Sequence, residues 1–172
     1  MCCKYRNPVF ESTLIMKKPK KDIGEVSYEQ LYAEPLISKD LRRIRALLNQ
    51  LSNKPKELSL ETFVEATEHS VVIVARLSSS KIIGMATLTK DRTYAGLVGR
   101  KGQMHDVVVD ETFRGYGIAR GLISKLKWFA RSIGLEKVRF TSSPDRVAAN
   151  GLYVSLGATR IETNVYQFDP EK

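Results

Sequence analysis

Residues 107–119 read VVVDETFRGYGIA, which is three valines, a turn with two glycines, and the start of a helical pattern. The three consecutive valines predict a central strand that is buried on both faces, because a strand covered on both sides does not alternate apolar and polar residues. After the turn, apolar residues follow the spacing of a helix face, at Ile118, Leu122, Leu126, Phe129 and Ile133. The stretch therefore predicts a central strand, a glycine turn and the longest helix of the chain, which Gly134 would end.

The sequence before this stretch predicts a strand, two helices and a β-hairpin. Ser38 and Ser59 are the expected N-caps, since each precedes an apolar pattern of helical period. The two hairpin runs are rich in β-branched residues and are separated by a short polar turn, which predicts antiparallel pairing. We expect these elements at residues 24–32, 38–51, 59–68, 71–77 and 82–89.

After the long helix, the sequence predicts a strand at 137–141, a last helix, and a closing strand at 160–168. Ser143 is the expected N-cap of the last helix, Pro144 its first residue, and Gly157 its end. No repeat or second domain interrupts this order of elements. We therefore expect an α/β fold built on one mixed sheet.

The charge of the chain is strongly positive and unevenly spread. Of the 172 residues, 28 are Lys or Arg and 19 are Asp or Glu, which gives a formal net charge of +9. Residues 1–21 contain six Lys or Arg and one Glu, so they carry +5 of this excess. We expect 1–21 to form a flexible basic arm, in which Met16 is a second candidate start, and 22–172 to form one domain. The modest charge of that domain is weak evidence for nucleic-acid binding.

Features that the sequence lacks exclude several classes of protein. No run approaches the ~18 apolar residues of a membrane span, and the first residues lack the apolar centre of a signal peptide. We therefore expect a soluble, cytoplasmic protein. The two cysteines, Cys2 and Cys3, are adjacent and match no zinc-ligand spacing, so we expect neither a structural disulfide nor a metal site.

The glycine turn has the chemistry of a phosphate-binding site. Gly115 and Gly117 lack the Cβ that would block a close approach, and the free amides of the following helix carry the positive end of its dipole. Arg114 adds a fixed positive charge. The dinucleotide fingerprint G-x-G-x-x-G does not match, because position 120 is Arg and a hairpin precedes the strand. The phosphate loop G-x-x-x-x-G-K-[ST] is absent.

The remaining pattern, Arg114-x-x-Gly117-x-Ala119, resembles the motif [Gln/Arg]-x-x-Gly-x-[Gly/Ala] of the GNAT superfamily of acetyl-CoA-dependent N-acetyltransferases. A second element agrees, since the family's next helix commonly carries Asn-x-x-Ala-x-x-Leu-Tyr followed by a glycine. Here residues 146–153 read RVAANGLY, so Arg146 stands where the family has the leading Asn. The resemblance implies the GNAT fold, in which about four helices flank a mixed sheet.

The resemblance, which covers about residues 24–168, also implies where acetyl-CoA binds. In this family the pyrophosphate of coenzyme A lies on the amides of the turn, and the pantetheine pairs with the preceding strand like an added strand. On this sequence the implied cofactor-binding residues are Val107, Val108, Val109, Arg114, Gly115, Tyr116, Gly117, Ile118 and Ala119. Asn150 would reach the pantetheine side, and a backbone amide of the strand would polarise the acetyl carbonyl. The role of Arg146 stays open.

The same resemblance implies direct transfer of the acetyl group to an amine, with Tyr153 protonating the departing CoA thiolate. A tyrosine hydroxyl is neutral at pH 7 and can donate a proton. The reaction also needs a base that accepts a proton from the amine. We expect Asp106 in this role, while His105, Glu136 and Glu162 are the other candidates.

The sequence therefore predicts an N-acetyltransferase that moves an acetyl group from acetyl-CoA to a primary amine of a small molecule, peptide or protein. One alternative is a non-catalytic CoA-binding regulatory module on the same fold, and another is a basic nucleic-acid-binding protein. The acceptor stays open, because the first two helices and the final strands that would form its site show no evident pattern. Homodimerisation through the last strand is a further expectation.

Overall fold

A computed structural model describes residues 22–32, 38–51, 59–92 and 100–162 of the chain. The expected basic arm 1–21 and residues 163–168 of the expected last strand lie outside these ranges. Residues 160–162, the described start of that strand, are not in a strand. Within the described ranges, no helix is both long and apolar enough to cross a membrane.

The described residues form five strands and four α-helices in the predicted order. The strands are β1 (Val26–Leu31), β2 (Ser70–Leu77), β3 (Ile82–Lys90), β4 (Lys101–Val109) and β5 (Lys137–Arg139). The helices are α1 (Ser38–Leu51), α2 (Leu60–Glu68), α3 (Ile118–Ser132) and α4 (Val147–Ser155). Ser59 caps α2 as predicted, because its hydroxyl accepts a hydrogen bond from the amide of Thr62 at 3.0 Å.

The strands form one mixed sheet in the order β1-β2-β3-β4-β5. The strands β1 to β4 pair antiparallel with their neighbours, whereas β4 and β5 pair in parallel. A parallel pair needs a crossover connection, and α3 supplies it here. The predicted α/β fold with a mixed sheet is confirmed, and the glycine turn lies at the carboxyl end of β4.

The middle strand of the described sheet is β3, and not the strand of three valines as predicted. Every residue of β3 from Ile82 to Leu88 is buried. Of the three valines in β4, only Val108 is buried. The difference arises because β5 is short and pairs only with the first residues of β4, which leaves the valines at an open edge.

Helices cover both faces of the sheet. The core under α1 and α2 contains Leu31, Ile44, Leu47, Phe63, Val72, Val74, Ile82, Met85 and Val108. The core under α3 contains Ile73, Ala75, Ile83, Ala86, Leu88, Met104, Ile118, Leu122, Ile123, Leu126 and Ala130. Partly buried residues of α4, including Leu152 and Tyr153, pack against this second core. The helices α3 and α4 therefore lie on the same face of the sheet.

The helix α3 approaches β1 closely at Gly121. A Cβ at this position would lie 2.1 Å from the Cζ atom of Tyr28, so the ring packs directly on the helix backbone. Burial raises the pKa of the Tyr28 hydroxyl above its ordinary value. This contact helps to fix α3, and with it the direction of the first turn of the helix.

The last helix begins later than predicted. It starts at Val147, with Arg146 at the N-cap position, whereas the sequence predicts a start at Pro144. The Ser143 hydroxyl, which was expected to cap the helix, donates instead to the carboxylate of Asp145. The amide of Arg146 donates to the carbonyl of Ser143 at 3.1 Å. These bonds close a turn before the helix, so the side chain of Ser143 is not available as its cap.

Candidate functional site

The strand β4 has an open edge over most of its length. Its partner β5 pairs only with Lys101, Gly102 and Gln103. From Met104 to Val109, no described strand pairs with the edge that faces β5. Unpaired backbone N–H and C=O groups on such an edge can pair with an extended chain that carries its own amide groups.

A β-bulge interrupts β4 in this open part. Met85 pairs with Val108 and Thr87 pairs with His105, so two residues of β4, Asp106 and Val107, lie opposite Ala86. Asp106 has a φ of 50°, in the left-handed region that residues other than glycine rarely adopt. A bulge bends a strand and increases its twist, and bulges are common beside active sites. The bulge therefore places a carboxylate residue in the open part of the strand.

The turn that follows β4 presents its backbone to an open surface. Gly115 and Gly117 have φ angles of 84° and 83°, which favour glycine. A Cβ built on either glycine would meet nothing within 4 Å. Among the described residues, none accepts a hydrogen bond from the amides of residues 115–120. These amides stand at the start of α3, a helix of 15 residues, where the helix dipole favours an anion.

The open edge and the turn form one continuous surface. The side chain of Arg114 is exposed, and its Nε donates to the carbonyl of Val109 at 3.3 Å, which joins the turn to the end of β4. The structure thus brings together the predicted residues of β4 and of the turn, from Val107 to Ala119. An extended chain with amides and an attached pyrophosphate fits these features, because the edge pairs with amides and the turn offers free N–H donors.

A buried carboxylate supports the start of the turn. Asp110 Oδ1 accepts hydrogen bonds from the amide of Thr112 at 3.0 Å and from its hydroxyl at 2.7 Å. Asp110 Oδ2 accepts from Arg43 Nη2 of α1 at 2.6 Å. Burial raises the pKa of Asp110, but the bonds from Thr112 and Arg43 outweigh it, so the pKa lies below its ordinary value. The carboxylate is therefore held in its charged form.

No pattern in the sequence reveals this support for the turn. Arg43 and Asp110 are 67 positions apart, so no local pattern connects them. The one local signal is Asp-x-Thr at residues 110–112, where an aspartate commonly bonds the backbone two residues on. That signal predicts a local turn, but it does not predict the helix that contacts it.

Tyr153 lies on α4, half-buried beside the end of β5. Its ring centroid is 4.7 Å from that of Phe140. Burial raises the pKa of the Tyr153 hydroxyl, and the positive charge of Arg146 opposes this shift. Tyr153 also lines a cavity of about 320 Å³ between α3, β5 and α4, together with Met104 and Leu156. The hydroxyl is therefore a neutral donor at pH 7.

Asn150 lies one turn before Tyr153 on α4, and its side chain holds the loop that precedes the helix. Its Nδ2 donates to the carbonyl of Ser143 at 3.0 Å. In the same loop, the Oγ of Ser142 is buried and has no hydrogen-bond partner among the described residues. The loop between β5 and α4 is thus fixed from the helix side.

The candidate bases occupy different environments. Asp106 is partly buried at the bulge, whereas His105 is exposed and its Nε2 lies 3.2 Å from Thr89 Oγ1. Glu136 forms an ion pair with Arg100, near the start of β4 and away from the turn. Glu162 is exposed beyond α4. Of the four, Asp106 lies nearest in the chain to both the open edge and the turn.

No group of three or more His, Cys, Asp or Glu residues that could hold a metal occurs in the part of the chain that the structure describes. The arrangement offers hydrogen-bond donors for an anion, an open strand edge and two groups that can exchange protons. Such a site can bind a phosphorylated thioester and transfer its acyl group.

Comparison with known proteins identifies the family of the chain and several relatives. The family model described as the acetyltransferase (GNAT) family matches residues 38–158. The chain is 30% identical over 139 residues to glucosamine 6-phosphate N-acetyltransferase 1 of Oryza sativa subsp. japonica, a match that spans 76% of this chain and 81% of the relative.

Solved structures of acetyltransferases have the same fold. A crystal structure of a Trypanosoma brucei acetyltransferase has a TM-score of 0.64 at 27% identity, covering 84% of this chain and 99% of that chain. The glucosamine-6-phosphate N-acetyltransferase of Arabidopsis thaliana has a TM-score of 0.68 at 21% identity, covering 84% and 98%. The predicted family, fold and enzyme class are confirmed. The chain belongs to the acetyltransferase (GNAT) family and is an N-acetyltransferase that uses acetyl-CoA as its co-substrate.

Proposed function

We propose that the chain transfers the acetyl group of acetyl-CoA directly to the primary amine of a small amino sugar, with glucosamine 6-phosphate as the first candidate acceptor. The main support for the coenzyme A site is that the open edge of β4 continues into the glycine turn of residues 114–119. The support for the acceptor is the rice relative, whose name gives glucosamine 6-phosphate as its substrate.

In the proposed complex, the turn binds the pyrophosphate and β4 binds the pantetheine. The amides of residues 115–120 supply donors without partners among the described residues, and Arg114 adds a positive charge nearby. The backbone of Val107, Val108 and Val109 pairs with the amides of the pantetheine, as one strand pairs with another. A β4 amide then donates to the carbonyl oxygen of the thioester, where negative charge develops in the transition state.

The proposed reaction is one nucleophilic substitution. The amine nitrogen attacks the thioester carbon, so a C–N bond forms and the C–S bond breaks. The thiolate leaves and takes a proton from the Tyr153 hydroxyl, while the amine loses a proton to the carboxylate of Asp106. Proton exchange with solvent restores both groups, and the products are the N-acetylated amine and CoA.

The proposed acceptor site lies on the face of the sheet that carries α1 and α2. Leu88 and Met104 belong to the core under α3, so the alternation of a strand directs Thr89 and His105 to the other face. His105 and Gln103 are exposed there, and Thr89 is partly exposed. These hydroxyl, amide and imidazole groups suit the hydroxyl groups of a sugar.

The test measures release of the CoA thiol with glucosamine 6-phosphate, glucosamine, a polyamine and a lysine-containing peptide as acceptors. We expect glucosamine 6-phosphate to have the highest kcat/KM, and glucosamine to lose about tenfold or more, because an anionic contact is worth more than 1.4 kcal/mol. A higher kcat/KM for the peptide or the polyamine would refute the acceptor. Failure of acetyl-CoA to bind would refute the whole proposal.

We also propose that the protein is cytoplasmic and forms a homodimer. Gel filtration with light scattering tests the dimer, and a monomer at all concentrations would refute it.

A further inference from the structure

Arg43 attaches helix α1 to Asp110, the residue between β4 and the chain that leads into the glycine turn. The Nη2 atom of Arg43 donates to Asp110 Oδ2 at 2.6 Å, and its Nε donates to the carbonyl of Ile82 at 3.0 Å. One guanidinium thus joins α1, the start of β3 and the residue that follows β4. The Asp110 side chain is 8% exposed and that of Arg43 is 23% exposed, so water screens this ion pair only in part.

A second hydrogen bond connects α1 to Glu111, the residue after Asp110. The Oε1 atom of Gln50 accepts a hydrogen bond from the amide of Glu111 at 3.1 Å. The carbonyl of Asp110 accepts from the amide of Phe113 at 2.8 Å, which closes the short 3-10 turn of residues 111–113. These bonds fix the chain immediately before Arg114.

After this point Tyr116 packs against the core under α3, but no hydrogen bond to another described residue holds the amides of residues 115–120. Gly115 and Gly117 both have left-handed backbone angles and open space where a Cβ would be. Glycine has more conformational freedom than other residues, so fixing its backbone has a larger entropic cost. The direction of the free amides therefore depends on Asp110 before the glycines, on the packed ring of Tyr116 between them, and on α3 after them.

We propose that Arg43 and Asp110 are a positioning pair that sets the affinity of the turn for acetyl-CoA without contacting it. This inference rests on the proposed function, in which the turn binds the pyrophosphate. Loss of the pair leaves the turn free to take other conformations, so binding has to order it again. The chemical step uses other groups, and kcat at saturating acetyl-CoA is unchanged.

A second ion pair of α1 provides a matched control. Arg76 of β2 donates to Asp40 of α1 through Nη1 at 3.0 Å and through Nη2 at 3.1 Å. The Asp40 side chain is 9% exposed and that of Arg76 is 16% exposed, so this pair is buried to a similar degree as the first. The hydrogen bonds of Arg76 go to Asp40 of α1, to Glu29 of β1 and to Ser80 in the β2–β3 turn, all away from residues 110–120.

The experiment compares Asp110→Asn and Arg43→Gln with Asp40→Asn and Arg76→Gln in the full chain. Titration calorimetry gives the Kd for acetyl-CoA, urea unfolding gives stability, and steady-state kinetics gives kcat and KM. We expect the first two variants to raise the Kd and KM for acetyl-CoA about tenfold, with kcat unchanged, because binding then has to order the turn again. The two control variants lose stability but keep the Kd of the native chain.

Each outcome decides the proposal. An unchanged Kd in Arg43→Gln, or an equal rise in Kd in Asp40→Asn, would show that the pair is only structural and would overturn the inference. Gly117→Glu separates this failure from failure of the proposed function. If Gly117→Glu binds acetyl-CoA normally, the turn is not the binding site and both proposals fall. If Gly117→Glu is the one variant that loses binding, the proposed role of Arg43 and Asp110 is wrong and the proposed function stands.

Discussion

Replacing Tyr153 with phenylalanine removes one oxygen atom and keeps the ring that packs against Phe140. The CoA thiolate would then leave without a proton donor, so we expect kcat to fall about 10²-fold while the Kd for acetyl-CoA stays the same. Stopped-flow or steady-state thiol release measures the first quantity, and calorimetry the second. Tyr28→Phe is the matched control, because burial also raises the pKa of that hydroxyl outside the proposed site. An unchanged kcat in Tyr153→Phe would remove the acid role.

Asp110 gives a prediction for the dependence of stability on pH. Its pKa is lower in the folded chain than its ordinary value, so it stabilises the fold above about pH 4. That stabilisation is lost as the pH falls through the folded pKa, when the carboxylate takes up a proton. Between about pH 5 and about pH 2, we expect the free energy of unfolding to decline less in Asp110→Asn than in the native chain. Parallel curves in urea unfolding would contradict this.

Single residues differ in how far the sequence reveals them. The glycines of the turn stand out in the sequence, and Gly117 has the left-handed backbone that favours glycine. The pairing of Arg43 with Asp110 could not be predicted, because their contact depends on how α1 packs on the sheet. The positive φ of Asp106 could not be predicted from the sequence either, because a bulge depends on the register of two strands.

Among the elements, α3 gives the sharpest prediction. Alanine in place of glycine usually stabilises a helix by about 0.5–1 kcal/mol. At Gly121 we expect the opposite, a loss of about 1–3 kcal/mol, because the new Cβ would lie 2.1 Å from the Tyr28 ring. Urea unfolding measures the loss. With Tyr28→Ala as background, the same change at Gly121 should cost less, and equal costs in both backgrounds would exclude the contact as the cause.

Elements with a complete local signal were predicted well. The cap of α2 at Ser59 and the left-handed Gly134 after α3 are where the sequence places them. The start of α4 was misplaced because Ser143 and Pro144 make a good helix start, yet Asp145 competes for the Ser143 hydroxyl. The burial of the three valines was overestimated, because the sequence does not show that β5 ends after three residues.

For the whole molecule, the order of elements was enough to predict the mixed sheet, whereas the family was predicted from the two motifs at residues 114–119 and 146–153. The crossover through α3 makes β4 and β5 parallel, and the short β5 then leaves the β4 edge open next to the turn. The site therefore follows from the topology as much as from the motif. Which amine enters this site depends on side chains from several elements, and no single pattern in the sequence contains that information.

The most direct test of the coenzyme A site compares glutamate at the two glycines that bracket α3. Gly117 and Gly134 have φ angles of 83° and 76°, and a Cβ on either would meet nothing within 4 Å. Both substitutions therefore strain the backbone alike, but only Gly117→Glu places a negative charge on the amide turn. In calorimetric titrations with acetyl-CoA, we expect Gly117→Glu to abolish binding and Gly134→Glu to bind like the native chain. Equal affinities in the two variants would contradict the proposed site.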